Sequence, residues 1–329
     1  MIGNTRVSKA AAVPDTSSFG PNSNVPSLTK KVSRIVLLTE AIFVAFAEIV
    51  GAKVVFSKPT TKFSNFNVYI MSKIGIGIVT CNRNNFFTKC VNSIKKEWYD
   101  ELIVVNDGDI PIKYAVNNFK VINNEKNLGV GKTKNIVLKN LIDKGCEHLF
   151  LVEDDIIFKQ NVFQKYIEAS EKTNVKHFNY CLHGHDNKIN GKKPNPRKIF
   201  DIKGVRVSLY FNVYGACSYY HKSVIDETGL MDEEYYNAME HVDHTMLAIN
   251  KGYHPPFRWF IDLENSNEYI EDQDENHSNS TIRKGDWMKN FYAGVKRFKN
   301  KFNIDVTNPN QKYSELNEVI NYFKQINEK

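Results

Sequence analysis

From Met71 onward the chain alternates short apolar runs with polar clusters. Ile74 to Val79 leads into Thr80-Cys81-Asn82-Arg83, Leu102 to Val105 into Asn106-Asp107-Gly108-Asp109, and Leu149 to Val152 into Glu153-Asp154-Asp155. Runs of four to six apolar or β-branched residues suit strands covered on both faces. Between them, Phe86 to Trp98 and Gly131 to Lys144 carry helical patterns. Alternating strand and helix predicts an α/β fold: a Rossmann-like, mostly parallel sheet flanked by helices. In such sheets ligands bind beyond the carboxyl ends of the strands, where these polar clusters fall.

Further helices are predicted from His221 to Glu227, over 240–250, from Trp287 onward, and from Ser314 to Glu328 with Ser314 as its cap. The segment after Trp287 alternates aromatic and basic residues, and packing of an amphipathic face on the domain is expected. The first thirty residues are rich in Ser, Ala, Pro, Asn and Gly, as in a flexible arm. Ile35 to Phe56 is mostly apolar, but Glu40, Glu48 and Lys53 interrupt it. Each would cost ~2.5–3.5 kcal/mol near a bilayer centre, so a packed or amphipathic helix is expected there, with a weak membrane anchor as the alternative. Lys58-Pro59 ends it, and 57–70 read as a linker. The expected organisation is an N-terminal extension over 1–70, a self-contained domain over 71–300, and a helical tail over 301–329.

Composition changes this picture little. The 329 residues hold 44 Lys plus Arg against 37 Asp plus Glu, and the net charge of +7 permits an anionic partner without demanding nucleic acid. Five widely spaced cysteines with no CxxC pair support neither a disulfide framework nor a cysteine zinc site. Reduced thiols point to a cytoplasmic setting, with peripheral contact to a membrane surface as the alternative.

The chemistry concentrates at Glu153-Asp154-Asp155. Three adjacent carboxylates at a buried strand end repel one another, and desolvation penalises each ionised form. A divalent cation would relieve that conflict, and hard oxygen donors suit Mg²⁺ or Mn²⁺, which leave positions open for substrate phosphates. A solvated acidic turn is the alternative. A phosphate loop is excluded, because Lys126 stands where the first glycine before Gly131-Lys132-Thr133 would have to sit.

Four motifs in order give the chain a resemblance to the family 2 glycosyltransferases and their relatives of GT-A fold, across roughly residues 73–260. Ile76 to Arg83 resembles the first strand and nucleotide loop, which implies donor contacts from Thr80, Asn82 and Arg83. Val104 to Gly108 resembles the second strand, whose aspartate, here Asp107, commonly contacts the nucleotide base. Asn127 to Asn135 is similar to the Asn-x-Gly-x-x-x-Ala-Arg-Asn segment, with Lys134 in place of arginine and Thr133 in place of alanine; Asn127, Gly129 and Lys134 are its donor-side candidates. Glu153-Asp154-Asp155 stands where the family keeps its metal-binding Asp-x-Asp. The resemblance therefore implies a nucleoside-diphosphate sugar donor, Asp155 as direct metal ligand, and Glu153 and Asp154 against ribose and donor sugar.

The resemblance implies a nucleotide-binding half over 71–155 and an acceptor half over 156–300 of the catalytic domain, and in the latter Tyr214 to Ser218, Gly229 to Glu233 and Asn237 to His244 resemble the family's motifs. In an inverting enzyme one carboxylate there takes the proton from the acceptor hydroxyl. The family's usual aspartate after the glutamate is His241 here. In a helix over 240–250, Glu240, Asp243 and His244 share one face. Glu240 is the first candidate base, with Asp243 and His241 as alternatives. His277, after an acidic run, is the candidate late metal ligand, and Arg283 or Lys284 could reach the diphosphate. His183-Gly184-His185 has no carboxylate at useful spacing and is expected in an acceptor-side loop. The expected acceptor is a glycan, polysaccharide or glycolipid; a modified base in DNA and a non-catalytic nucleotide-sugar-binding module are the alternatives.

Overall fold

The computed structural model describes residues 72–112, 119–274, 280 and 285–328. The expectations for 1–70 and for His277, Arg283 and Lys284 lie outside the described residues. Strands β1 (Lys73–Thr80), β2 (Glu101–Asn106), β3 (Lys120–Asn123) and β4 (Cys146–Glu153) alternate with helices α1 (Asn84–Ser93) and α2 (Val130–Asp143). Then follow β5 (Ile156–Phe158), α3 (Val162–Thr173), β6 (His177–Asn179), a short hairpin of β7 (Lys188–Ile189) and β8 (Lys193–Pro194), β9 (Lys198–Ile202) and β10 (Val205–Tyr210). The chain continues through β11 (Cys217–His221), α4 (Lys222–Thr228), α5 (Glu240–Asn250), β12 (Phe260–Leu263), β13 (Ile270–Asp272), α6 (Trp287–Phe302) and α7 (Leu316–Asn327).

The central sheet has the order β3-β2-β1-β4-β11-β6. Its first four strands run parallel, and β11 is antiparallel to β4 and β6. This is the mixed, mostly parallel arrangement flanked by helices that the alternation predicts. The Ile-Gly-Ile-Gly-Ile pattern of β1 has a packing cause. A Cβ on Gly77 would stand 1.8 Å from Val137 Cγ1 of α2. The bare glycine edge therefore lets α2 lie close on the sheet, while Ile76 and Ile78 are buried on the opposite face. One apolar cluster joins Val137, Leu138 and Leu141 to Val105 and Leu151. On the other face Phe150 and Val152 meet Phe163, Tyr166 and Phe178.

The described residues from 72 onward form one compact unit. Helix α6 runs through the boundary expected at residue 300, and Phe298 and Phe323 are buried in the same cluster as Phe257 and Phe260. As expected, α6 packs an aromatic face, though Met288 and Tyr292 remain exposed. Ser314 is not the cap of α7. Glu315 caps it reciprocally with Glu318, whose carboxylate accepts from the Glu315 backbone N–H at 2.9 Å, and the Ser314 carbonyl instead accepts from Trp259 Nε1 at 2.7 Å. No described helix is long and apolar enough to cross a membrane.

Candidate active site

The register of the sheet brings the polar strand ends to one edge. Thr80 pairs with Asn106, and Val79 with Glu153. A cavity of about 300 Å³ opens there. Thr80, Cys81, Arg83, Asp107, Asn127, Gly129 and Glu153 line it from the β1–β4 segment, and Tyr236 and Asn237 from the segment before α5. Asp286 and Asn290 complete the lining; no sequence motif marked either.

Asp107 organises one wall. Its Oδ1 accepts from Leu128 N at 2.8 Å and Asn124 Nδ2 at 2.7 Å, and its Oδ2 from Gly129 N at 3.0 Å. The carboxylate so holds the turn that starts α2. Asn127 Oδ1 accepts from the hydroxyl of Tyr236 at 2.8 Å, which draws the segment before α5 onto this turn. Asn82, at φ 55°, supports the floor through a bond from Ile110 N to its Oδ1 at 3.3 Å.

The acidic triplet is neutralised by protein cations. Arg83 pairs with Asp154, and its Nη1 lies 3.2 Å from Asp155 Oδ2. Thr80 Oγ1 donates to Asp154 Oδ2 at 2.5 Å. Burial, and after it Arg83 in the opposite sense and Asp155, leave the Asp154 carboxyl pushed up to about 7. Lys134 Nζ lies 2.8 Å from Glu153 Oε1 and 2.8 Å from Glu240 Oε1. Burial would lower the Lys134 ammonium, but Glu153 and Glu240 together raise it well above its usual range. Arg83 and Lys134 thus offset part of the crowding that a divalent cation is expected to relieve.

Of the helical candidates, three are buried in separate bonds. Glu240 accepts from Lys134; burial acts against its ionised form, but Lys134 and then His241 hold it well below the usual carboxylate range. Asp243 accepts from Lys301 Nζ at 2.7 Å and from the Tyr235 hydroxyl at 2.9 Å, tying α5 to α6. His244 Nε2 lies 3.0 Å from the Gly229 carbonyl. His241 differs. Its side chain is 19 % exposed, and its Nδ1 lies 3.1 Å from Glu240 Oε1. Gly215 covers this group: a Cβ there would be 2.8 Å from Glu153 Oε1, 2.9 Å from Lys134 Nζ and 3.2 Å from His241 Nδ1.

His183 is the residue that sequence spacing passed over. Its carboxylate partner is Asp272, which also accepts from Gly184 N at 2.9 Å. Burial disfavours its charged form, yet Asp155 and Asp272 raise it to about 9. The next residue, Gln273, donates to the carbonyls of Asp154 at 3.1 Å and Phe86 at 3.2 Å, pinning the acidic turn. Neither partner is close in sequence, so no local signal pointed to them.

Among the described residues no cluster of three or more His, Cys, Asp or Glu is disposed to hold a metal ion. Asp155 Oδ1 is nevertheless buried and has no hydrogen-bond partner there. One unengaged hard oxygen suits Mg²⁺ or Mn²⁺, which bind through one or two carboxylates and complete their shell with substrate phosphates and water.

A mostly parallel sheet thus carries acids at its strand ends, and a buried lysine bridges them to the helix across the cleft. Residues 76–229 match the sequence model of Glycosyl transferase family 2. An uncharacterized glycosyltransferase of Acanthamoeba polyphaga mimivirus is 31 % identical over 86 residues, covering 24 % of this chain and 34 % of that protein. The match thus spans about a third of the relative's length. Among solved structures, a fragment of S. aureus TarS is similar with TM-score 0.40 and 17 % identity, over 54 % of this chain and 55 % of that one. The mannosyltransferase PcManGT from Pyrobaculum calidifontis, solved with GDP-Man and Mn²⁺, gives TM-score 0.36 and 10 % identity, over 54 % and 52 % of the two chains.

Proposed function

We propose that the chain transfers a sugar from a nucleoside diphosphate to an acceptor hydroxyl, of glycan type, with inversion at the anomeric carbon. The observation that carries this reading is the Glu153–Lys134–Glu240–His241 cluster. It joins the acidic strand end of the nucleotide-binding half to the helix of the acceptor half through a shared buried ammonium.

In this reading the donor lies in the cavity beyond β1, β2 and β4, with Asn127 and Tyr236 along its walls. Asp155, with His277 as the second candidate, would hold Mn²⁺ or Mg²⁺. When bound, such an ion acts as a Lewis acid that stabilises the charge growing on the leaving diphosphate. Arg83 adds a fixed positive charge beside the same acids.

Glu240 is clamped by Lys134 and is a poor proton acceptor near neutral pH. Its Oε1 is placed to accept Nδ1–H of His241, which leaves Nε2 of that ring as the basic atom. The acceptor oxygen bonds to the anomeric carbon, the bond from that carbon to the diphosphate oxygen breaks, and the hydroxyl proton passes to His241 Nε2. Glu240 orients the ring and stabilises its protonated form.

The test is release of free nucleoside diphosphate from a panel of UDP- and GDP-sugars with Mn²⁺, using the wild type and Asp155→Ala. The wild type should turn over at least one donor, and the variant should be inactive with its melting temperature kept, because Arg83 retains Asp154. Near-wild-type turnover by Asp155→Ala would overturn the mechanism.

A further inference from the structure

Two arginines stand together on the acceptor half without an acid. Arg197 Nη1 donates to the carbonyl of Arg258 at 2.6 Å. The Arg197 guanidinium lies 3.5 Å over the Trp259 ring, and both guanidinium carbons face Phe211, at 5.6 Å from Arg197 and 4.5 Å from Arg258. Neither arginine forms an ion pair with a carboxylate among the described residues, unlike Arg83, Arg206 and Arg297.

Arg258 lies over the Phe257 and Tyr313 rings at 5.3 and 5.1 Å but is poorly hydrogen-bonded. Arg258 reaches the Phe211 carbonyl at 3.5 Å, Asn212 Oδ1 at 3.4 Å and the Val306 carbonyl at 3.4 Å, all long bonds. Its Nε is buried with no partner among the described residues. The residue also sits at φ 67°, a left-handed conformation that a non-glycine residue adopts at a cost. Two like charges so placed repel each other, and the neighbouring Arg258 adds to burial in lowering the Arg197 guanidinium. Two adjacent guanidinium forks held by aromatic rings and carrying no carboxylate, Arg258 half-buried and Arg197 open to solvent, are what a doubly charged oxyanion would complete.

The location is on the acceptor side. Phe211, 40 % exposed, is four positions before Gly215, which touches the Glu153–Lys134–His241 group. An extended chain of that length reaches at most about 14 Å. Neither arginine lines the donor cavity.

We propose that Arg197 and Arg258, over Phe211, form an anion subsite that takes a phosphate group carried by the acceptor. The acceptor assignment rests on the glycosyl transfer proposed above, whereas the subsite itself does not. The probe is inorganic phosphate, titrated by calorimetry against sodium chloride of equal ionic strength, with sodium acetate as the singly charged control. The wild type should bind phosphate saturably and acetate more weakly. Arg197→Gln, at an exposed position, should weaken phosphate binding about tenfold or more, and Arg197→Gln with Arg258→Gln should abolish it, while Arg197→Lys restores part. No saturable binding, or equal binding by the double variant, would overturn the subsite. In a turnover assay, phosphate should compete with the acceptor in the wild type and lose that effect in the double variant. Competition with the donor alone would overturn the acceptor assignment. A protein inactive with every donor would fail the transferase reading, and the calorimetry would still decide the subsite.

Discussion

Glu153 at the end of β4 and Glu240 at the start of α5 share one cation: each places its Oε1 2.8 Å from Lys134 Nζ. The three groups are nearly sealed from solvent, with side-chain exposures of 17 %, 3 % and 1 % in that order. Removing the ammonium would leave two ionised carboxylates facing each other in a poorly solvated space. Lys134→Met should therefore destabilise the fold by about 3–5 kcal/mol, the usual cost of stranding a buried charge. Lys134→Arg keeps the charge and should cost far less. Urea unfolding at pH 7 measures both, and equal midpoints for wild type and Lys134→Met would show that the bridge adds nothing.

His241 carries the second prediction. Substitution to Ala should lower kcat about 10²–10⁴-fold, the usual contribution of a positioned base. The donor KM should stay near its wild-type value, because His241 does not line the donor cavity. His241→Asp restores a proton acceptor and should recover part of the rate. Steady-state kinetics on the three proteins, with melting curves to verify folding, decide the role. A drop in KM alone, or full activity in the Ala variant, would move the base elsewhere.

The parallel part of the sheet was legible because its strands are covered on both faces and so appear as unbroken apolar runs, as in Ile76, Ile78, Val104 and Val152. The antiparallel strands β9, β10 and β12 were not, since their pairing depends on long-range register rather than on any local signature. The same division holds at the site. Thr80, Arg83, Asp107 and Glu153 stand at strand ends, where α/β topology gathers them. The shared face of α5 was also legible, but not what each residue meets: Lys134 for Glu240, Lys301 for Asp243, Gly229 for His244. Those partners come from three different elements, so helical spacing carried no information about them. His183 was passed over for the same reason, because Asp272 reaches it only through β13 pairing with β5.

Acid sensitivity follows from the buried histidines. Burial lowers His148, His244 and His254 from 6.5 to about 4. Their neutral forms are used: His254 Nδ1 faces the Pro255 carbonyl at 2.7 Å, and its Nε2 accepts from Ile261 N at 3.4 Å. Through these rings the unfolded chain holds more protons than the folded one between about pH 6.5 and 4. Asp154 and Asp262, raised to about 7 and about 6, act in the opposite sense, so stability falls with pH by the excess of the histidines. Glu240 adds a second loss: its folded pKa lies below the unfolded 4.5, so its contribution is present above that value and disappears on further acidification. Unfolding free energies at pH 7.0, 5.5 and 4.5 should drop by a few kcal/mol in total, on the order of one to two per pH unit over the window. A flat profile would mean these rings are solvated.

Gly215 offers the sharpest separation of activity from stability. It needs no unusual backbone angle; its small size is what matters, because a Cβ would press on Glu153 Oε1, Lys134 Nζ and His241 Nδ1 at 2.8, 2.9 and 3.2 Å. Ends of free side chains would yield cheaply. These are bonded to one another and to Glu240, so they can move only together. Gly215→Ala should therefore shift His241 while leaving the apolar clusters intact, and a displacement near 1 Å at a reacting group costs roughly 10²-fold in rate. The expected result is a kcat lowered by about that factor, with unfolding free energy changed by no more than ~1 kcal/mol, as for substitutions that leave the core packing alone. Melting loss without rate loss would assign Gly215 to folding and detach it from the base.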